Sequence, residues 1–281
     1  MRLGIFAKTF EGRTTAEELA GAIACWGFRA VQLNLSCLGW NTLPDHLDER
    51  RCSEVASCFR AQGLEIAAVS GTFNMVHPSG SAEANLRRLE TLASACRWLD
   101  TRMITLCTGT RDPDDLWRWH PENVRRSTWR ELVAVMKRVA AIADRSEVTM
   151  AFEPEIGNVV NSAVKARLLL DEVASPWIKV VIDPANLLRP EELSRTAEIL
   201  EEAFEWLGSD VALAHAKELT HDGRFGELAP GEGAVDWDGY LGGLARIGYA
   251  GPLIMHGMPE SKVAAGVEFL RSKLGLAGRN N

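Results

Sequence analysis

Four short apolar runs in the second half of the chain each lead into a side chain that can bind a metal ion. The runs are Thr149–Phe152, Val180–Ile182, Val211–Ala214 and Pro252–Met255, and the residues that follow them are Glu153, Asp183, His215 and His256. Runs of this kind are typical of buried parallel strands. Because the carboxyl ends of the strands in a (β/α)8 barrel meet at one open face, we expect these side chains to converge there. Two carboxylates and two imidazoles would supply nitrogen and oxygen ligands for one divalent cation.

Strand and helix patterns alternate along the whole chain and make eight strand–helix units. After a first helix that begins at Thr15, the predicted helices are Asp48–Gln62, Ser81–Trp98, Thr128–Ser146, Ser162–Val173, Glu191–Leu207, Trp237–Ile247 and Ser261–Leu274. Thr15 with Glu18 has the pattern of a capping box, and Asp236 is a candidate cap for the helix that follows it. An open doubly wound sheet would need a glycine-rich turn after its first strand, which residues 7–12 do not supply. The sequence therefore predicts an α/β fold, a single (β/α)8 TIM-barrel domain over residues 1–281.

The charge and composition limit the partners of the chain. The net charge is −7 and the pI is near 5.5, so the surface repels phosphate backbones and nucleic acid is not an expected partner. No apolar run is long enough to span a membrane, and the first residues do not have the pattern of a signal peptide. None of the six cysteines forms a CxxC pair, which is typical of reduced core thiols. We therefore expect a cytoplasmic protein that does not bind membranes. The sequence is compatible with a monomer or a homo-oligomer.

Two loops carry candidate substrate-binding residues. The loop Thr108–Asn123 is long and contains Arg111, Trp117 and Trp119, and indole rings beside polar groups suit a sugar or polyol. The alternative is that these tryptophans only anchor the loop by burial. His77, in the loop after the third predicted strand, is a further candidate for substrate binding, or else an ordinary loop histidine.

Each candidate ligand also has an ordinary structural explanation, such as a helix cap at Asp183 or a surface salt bridge at Glu153. Four such residues at successive strand ends favour a shared site over four separate explanations. Lys217 lies two residues after His215, so its side chain faces the same way if the strand continues. It could bind a substrate hydroxyl or move a proton, or it could form a salt bridge at the barrel rim with Glu218 or a neighbouring residue.

The chain resembles the xylose isomerase-like TIM-barrel superfamily, which contains sugar phosphate isomerases, epimerases and inosose dehydratases. The resemblance covers nearly the whole chain, and the segments that carry it are Phe152-Glu153-Pro154, Ile182-Asp183-Pro184-Ala185-Asn186, His215-Ala216-Lys217-Glu218, Pro230-Gly231-Glu232-Gly233-Ala234-Val235-Asp236-Trp237 and Gly248-Tyr249-Ala250-Gly251-Pro252-Leu253. The resemblance implies one divalent metal, manganese, magnesium, cobalt or zinc, with Glu153, Asp183 and His215 as ligands.

The chain departs from that family pattern at two positions. His256 stands where the family has its final metal-binding glutamate, and Asn186, a candidate for substrate binding, stands where a histidine is usual. In ketose 3-epimerases of the superfamily, the first and last of these glutamates exchange the substrate proton on opposite faces. An imidazole that binds a metal has no free lone pair, so this two-carboxylate mechanism is not expected here.

These residues and the resemblance predict a divalent-metal-dependent isomerase or epimerase of a sugar, keto-sugar or cyclitol that acts through an enediolate. Glu153 and Lys217 are the candidate catalytic residues. One alternative is a lyase similar to inosose dehydratase, and another is a barrel that binds sugars but has lost catalysis. DNA repair is not expected, because the abasic-site endonucleases of the superfamily need a basic groove and more metal ligands.

Overall fold

A computed structural model describes residues 1–275, in which eight parallel strands form a closed barrel. The strands are β1 Arg2–Phe6, β2 Ala30–Leu33, β3 Glu65–Ser70, β4 Met103–Cys107, β5 Thr149–Glu153, β6 Ile178–Ile182, β7 Val211–Ala216 and β8 Pro252–Met255. The helices are α1 Ala16–Ala24, α2 Glu49–Ala61, α3 Ala82–Ala95, α4 Arg126–Ser146, α5 Ala163–Val173, α6 Thr196–Leu207, α7 Trp237–Arg246 and α8 Val263–Lys273. Each strand pairs with the next in the chain, and β1 pairs with β8, with Leu3 opposite Leu253.

The predicted (β/α)8 barrel is thus confirmed, and the open sheet is excluded. The local signals behind the prediction are also visible in the structure. The Thr15 hydroxyl accepts a hydrogen bond from the Glu18 amide at 3.2 Å, and the Asp236 carboxylate accepts one from the Gly239 amide at 3.0 Å. Each bond satisfies an amide that a helix leaves unpaired in its first turn, so each fixes where its helix begins.

Two boundaries differ from the predicted ones. The seventh strand runs to Ala216, so His215 lies within it and Lys217 comes directly after it. The helix predicted at Glu191–Leu207 is instead a 3₁₀ segment, Pro190–Arg195, followed by α6. The Thr196 hydroxyl donates to the Leu193 carbonyl at 2.8 Å, a local side-chain bond of the kind that competes with regular helical pairing.

The core has two parts. A large apolar layer lies between the strands and the surrounding helices, and a small cluster fills the barrel interior. The fully buried members of the interior cluster are Ala30, Ala68, Ala151, Val181, Leu213 and Ile254. A filled interior means that only the ends of the barrel can accept a ligand. Within residues 1–275, none of the helices combines the length and the apolar composition needed to cross a bilayer.

Candidate metal centre

The four candidate ligands point into the mouth of the barrel because of strand alternation. Side chains two positions apart along a strand lie on the same face. Each candidate ligand follows a residue of the interior cluster by two positions, and the pairs are Ala151 with Glu153, Val181 with Asp183, Leu213 with His215 and Ile254 with His256. The residues that fill the barrel interior therefore set the direction of the four polar side chains above them.

The structure brings these four side chains into one cluster. One donor atom from each lies within 4.8 Å of the others. His215 Nδ1 is 3.2 Å from Glu153 Oε1 and 3.6 Å from Asp183 Oδ2, and His256 Nε2 is 2.8 Å from the same Asp183 oxygen. The two imidazole rings meet edge to face, with centroids 4.4 Å apart. The sequence-based expectation that the four residues converge is met, whereas their binding of a metal stays a prediction.

Backbone contacts fix the position of Asp183. Its Oδ1 accepts hydrogen bonds from the amides of Ala185 at 2.9 Å and Asn186 at 3.4 Å, which leaves Oδ2 facing the cluster. The Tyr240 hydroxyl, from α7, lies 3.1 Å from the Ile182 carbonyl and 2.8 Å from the His215 carbonyl. This phenol therefore ties together the ends of the two strands that carry an acidic and an imidazole donor.

Burial and neighbouring charges separate the protonation states of the cluster. Burial alone would lower the pKa of His215, but the Glu153 and Asp183 carboxylates outweigh it and raise the pKa to about 9. For His256, burial together with the nearby His215 lowers the pKa. Burial opposes ionisation of Asp183, yet hydrogen bonds from both imidazoles hold its pKa well below the usual range. At neutral pH and without metal, His215 is thus the protonated imidazole of the pair.

Asn186 links the cluster to Lys217. Its Nδ2 donates to Glu153 Oε1 at 2.8 Å, and its Oδ1 accepts from Lys217 Nζ at 2.5 Å. A lysine ammonium can only donate, so the amide oxygen must face Lys217 and the amide nitrogen must face Glu153. Lys217 is buried, and its Nζ lies 4.1 Å from the centre of the Phe225 ring. The salt bridge with Glu218 considered from the sequence does not form.

Glu218 has a structural task instead. Its buried carboxylate accepts hydrogen bonds from the amides of Leu219, Gly231 and Val235 and from Trp237 Nε1, at 2.8 to 3.1 Å. One carboxylate therefore organises the loop between β7 and α7, and a buried charge with four donors is well satisfied.

The chemistry of this donor set fits a divalent metal. Two carboxylates and two imidazoles form a four-ligand set of the nitrogen and oxygen type. The Asp183 and His215 side chains are almost fully buried, whereas Glu153 and His256 keep 16% and 13% of their side-chain surface exposed. The cluster is therefore buried on the side of Asp183 and His215 and reaches solvent on the side of Glu153 and His256, from which a small ligand can approach it.

The structure places the other candidate residues outside this cluster. Both ring nitrogens of His77 contact loop atoms, Ser79 Oγ at 2.6 Å and the Pro113 carbonyl at 3.1 Å. The Arg111 guanidinium contacts the Glu131 carboxylate and the Val76 carbonyl, so it already ties loops together. A role for either side chain in substrate binding stays a prediction.

Trp117 and Trp119 are 52% and 47% exposed. Neither of them anchors its loop by burial. The Asn158 and Asn123 side chains hold the loop instead, through hydrogen bonds to the Leu116 carbonyl and Thr110 Oγ1. The indoles are thus available to a ligand, and their contact with one stays a prediction.

Two polar residues near the cluster were not identified from the sequence. Glu155 is buried, and burial together with the charges of Glu153 and Asp183 outweighs the nearby Lys217 ammonium and raises its pKa to about 8. Gln32 lies in β2 and contacts His215. Glu155 lies two residues after Glu153, the same spacing that singled out Lys217 after His215, so this spacing could have identified it. For Gln32, the available signal was a single polar residue in the apolar run Ala-Val-Gln-Leu.

Comparison with known proteins agrees with this architecture. A family model described as xylose isomerase-like TIM barrel matches residues 21–273. The chain belongs to this family. The chain is also 27% identical over 149 residues to L-ribulose-5-phosphate 3-epimerase UlaE from Salmonella paratyphi C, a match that covers 51% of this chain and 50% of that protein. The chain thus spans about half the length of the curated relatives it matches.

Solved structures share the fold across nearly the whole chain. A xylose isomerase domain protein from Planctomyces limnophilus superposes with a TM-score of 0.74 at 19% identity, over 98% of both chains. D-psicose 3-epimerase from Clostridium cellulolyticum H10, with D-tagatose, gives 0.70 at 19% identity, over 94% of this chain and 89% of that one. The IOLI protein with a zinc atom gives 0.73 at 15% identity, over 99% and 100%. At these identities the likeness shows the fold alone.

Proposed function

We propose that the protein is a divalent-metal-dependent isomerase or epimerase of a sugar, keto-sugar or cyclitol. The observation that carries the proposal is the cluster of Glu153, Asp183, His215 and His256 at the barrel mouth, with donor atoms within 4.8 Å of one another. The family and the sugar epimerases among its relatives support a small polyhydroxy substrate. We expect the protein to act in the cytoplasm, and we expect it to bind neither nucleic acid nor membranes.

The four clustered residues would hold one metal ion. When bound, a divalent metal of this class supplies Lewis-acid stabilisation of the negative charge that develops on substrate oxygens during enolisation. Manganese, magnesium, cobalt and zinc are the candidates. The two imidazole nitrogens favour zinc or cobalt over magnesium, because magnesium prefers oxygen donors.

Glu153 is the group best placed to move the proton. Asp183 is fully buried, and both of its oxygens are occupied by amides and imidazoles. Glu153 keeps part of its surface open, and among residues 1–275 its hydrogen bonds, from Asn186 and His215, reach only its Oε1. We expect Glu153 to take the proton from the carbon beside the substrate carbonyl, which gives an enediolate, and to return it to the former carbonyl carbon while the hydroxyl proton moves to the former carbonyl oxygen.

Lys217 and Asn186 complete the proposed machinery. The Lys217 ammonium, joined to Glu153 through the Asn186 amide, keeps that carboxylate in a fixed orientation. The same ammonium can donate a hydrogen bond or a proton to a substrate oxygen. Trp117 and Trp119 would stack on the C–H faces of the sugar if their loop closes over the mouth, and Arg111 and His77 would support that loop.

Loss of water is the second candidate reaction, and His256 is the observation that favours it. A two-face epimerase of the ketose type needs a carboxylate base on each side of the substrate, and His256 occupies the place of the second one. Elimination needs a single base to remove the proton and an acid to protonate the departing hydroxyl group. Glu153 and Lys217 could fill these two roles.

One experiment separates these functions. The metal-loaded protein is incubated in D₂O with a panel of ketoses and inososes, and the products are analysed by mass spectrometry and NMR. A product that carries deuterium at the carbon beside the carbonyl, and otherwise has the elemental composition of the substrate, indicates isomerisation or epimerisation. A product that has lost water indicates a lyase. Glu153→Gln should abolish exchange, whereas Glu172→Gln, on α5, should not. Metal binding without exchange on any panel member would contradict an enzyme of this class and favour a sugar-binding barrel.

A further inference from the structure

Gln32 is a buried polar residue that borders the four clustered donors and contacts one of them, His215. It is 4% exposed and stands in the otherwise apolar strand β2. Its side chain contacts three groups: His215 Nε2 at 2.8 Å, Ser70 Oγ at 3.3 Å and Thr105 Oγ1 at 3.2 Å. A buried amide costs free energy unless it is hydrogen-bonded, and the three partners satisfy this one. An apolar residue at position 32 would leave His215 Nε2 without this hydrogen-bond partner.

Alternation explains why these residues meet. Ala30 and Gln32 are two positions apart in β2, and Ala68 and Ser70 are two positions apart in β3, so both polar side chains share the interior face with a core alanine. Three successive strands, β2 to β4, thus place an amide and two hydroxyl groups one layer above the interior core. His215, on β7, reaches this group across the barrel mouth, and β8 and β1 lie between β7 and β2.

The structure places the Gln32 amide with its nitrogen towards two hydroxyl groups and its oxygen towards His215. The hydroxyl groups of Ser70 and Thr105 both lie beside Nε2 and can accept its two hydrogens. The amide oxygen then faces His215, and an oxygen can only accept. The His215 Nε2 must therefore carry a hydrogen. The other ring nitrogen, Nδ1, faces the carboxylates of Glu153 and Asp183.

We propose that Gln32 is a positioning residue that holds the Nε2 hydrogen of His215 and thereby makes Nδ1 the nitrogen that binds the metal. The inference rests on the metal centre of the proposed function and extends it to a residue outside the four proposed ligands. In metal sites, a ligating histidine almost always donates its second N–H to such an acceptor, which fixes the ring and its tautomer.

The first test measures metal affinity in three variants of the full chain. Zinc binding is followed by competition with a chelating dye. Gln32→Leu removes the acceptor and should weaken zinc binding by about 10- to 100-fold, the usual effect of losing such a partner. Gln32→Glu keeps an acceptor oxygen and should stay within a few-fold of wild type. Thr101→Val is the matched control, because Thr101 is buried before β4, at the other end of the barrel, and should leave zinc binding unchanged.

The second test reads the His215 ring directly, and its first measurement needs only the wild-type protein. The chain has six histidines, so selective ¹⁵N labelling of histidine gives few signals. Two-bond correlations in the zinc-loaded wild type should show hydrogen on Nε2 and none on Nδ1. In the metal-free wild type, the Nε2 hydrogen should exchange slowly with solvent, and it should exchange rapidly in Gln32→Leu.

The outcomes separate this inference from the proposed function. Hydrogen on Nδ1 in the zinc-loaded protein, or wild-type zinc affinity in a folded Gln32→Leu variant, overturns the role of Gln32. Absence of zinc binding in wild type overturns the proposed metal centre. In that case a slowly exchanging Nε2 hydrogen that depends on Gln32 still supports the hydrogen bond, and a rapidly exchanging one overturns it.

Discussion

Replacing Asp183 with asparagine is the perturbation whose effect the structure defines best. The substitution keeps the size and one acceptor oxygen but removes a charge from a side chain that is fully buried. A unit charge about 2 Å from a divalent ion contributes ~4 kcal/mol even with the dielectric constant of water. The neutral amide oxygen retains part of this attraction. We therefore expect Asp183→Asn to weaken metal binding by about 2–4 kcal/mol, or roughly 30- to 1,000-fold.

The assay is titration with zinc or manganese against a chelating dye, with circular dichroism to verify folding. Asp210→Asn provides a matched control, because Asp210 is partly buried and paired with Lys179 and Arg167 just before β7, at the opposite end of that strand from His215. The control should lose some stability but keep wild-type metal affinity. Wild-type affinity in a folded Asp183→Asn protein would refute the reasoning, because no carboxylate at that place would then contribute to a metal site.

Three further predictions concern selectivity, pH and the long loop. His256→Glu should shift metal preference from zinc towards manganese and magnesium, since it replaces a nitrogen donor with a charged oxygen; unchanged occupancy and preference in competition assays would show that His256 is not a ligand. The raised His215 pKa, about 9, stabilises the metal-free fold fully below about pH 6.5, and this contribution is lost as pH rises through 9. Metal binding must displace that proton, so affinity measured by calorimetry should rise from pH 6 to 9 with proton release, and a pH-independent affinity would contradict this. Trp117→Ala or Trp119→Ala should weaken ketose binding, followed by fluorescence, by roughly 1–3 kcal/mol; wild-type binding in both variants would place the pocket elsewhere.

The barrel and the convergence of its polar strand ends could be predicted from sequence, for the same physical reason. Buried parallel strands are short apolar runs, and their carboxyl ends share one face of the barrel. A polar residue that directly follows such a run, like Asp183 after Ile182, can therefore be placed at the carboxyl end of the barrel from sequence. No knowledge of distant contacts is needed for that step.

What sequence could not provide is the set of partners that meet across the barrel. Gln32 and His215 are 183 positions apart and come from strands that do not pair with each other, so their hydrogen bond depends on the closure and stagger of the whole sheet. The loop Thr108–Asn123 is a second case. Its composition suggested either a buried anchor or a sugar contact, and only the structure shows that Trp117 and Trp119 remain half exposed.

The most direct measurement of the central claim is an anomalous diffraction map, recorded at the zinc absorption edge from a crystal of the wild-type protein grown with zinc. Our account predicts one strong peak per chain, in contact with Glu153, Asp183, His215 and His256, and with the His215 Nδ1 atom facing it. A map without a peak at the barrel mouth, or with zinc bound only elsewhere on the chain, would contradict the metal centre on which the proposed function depends.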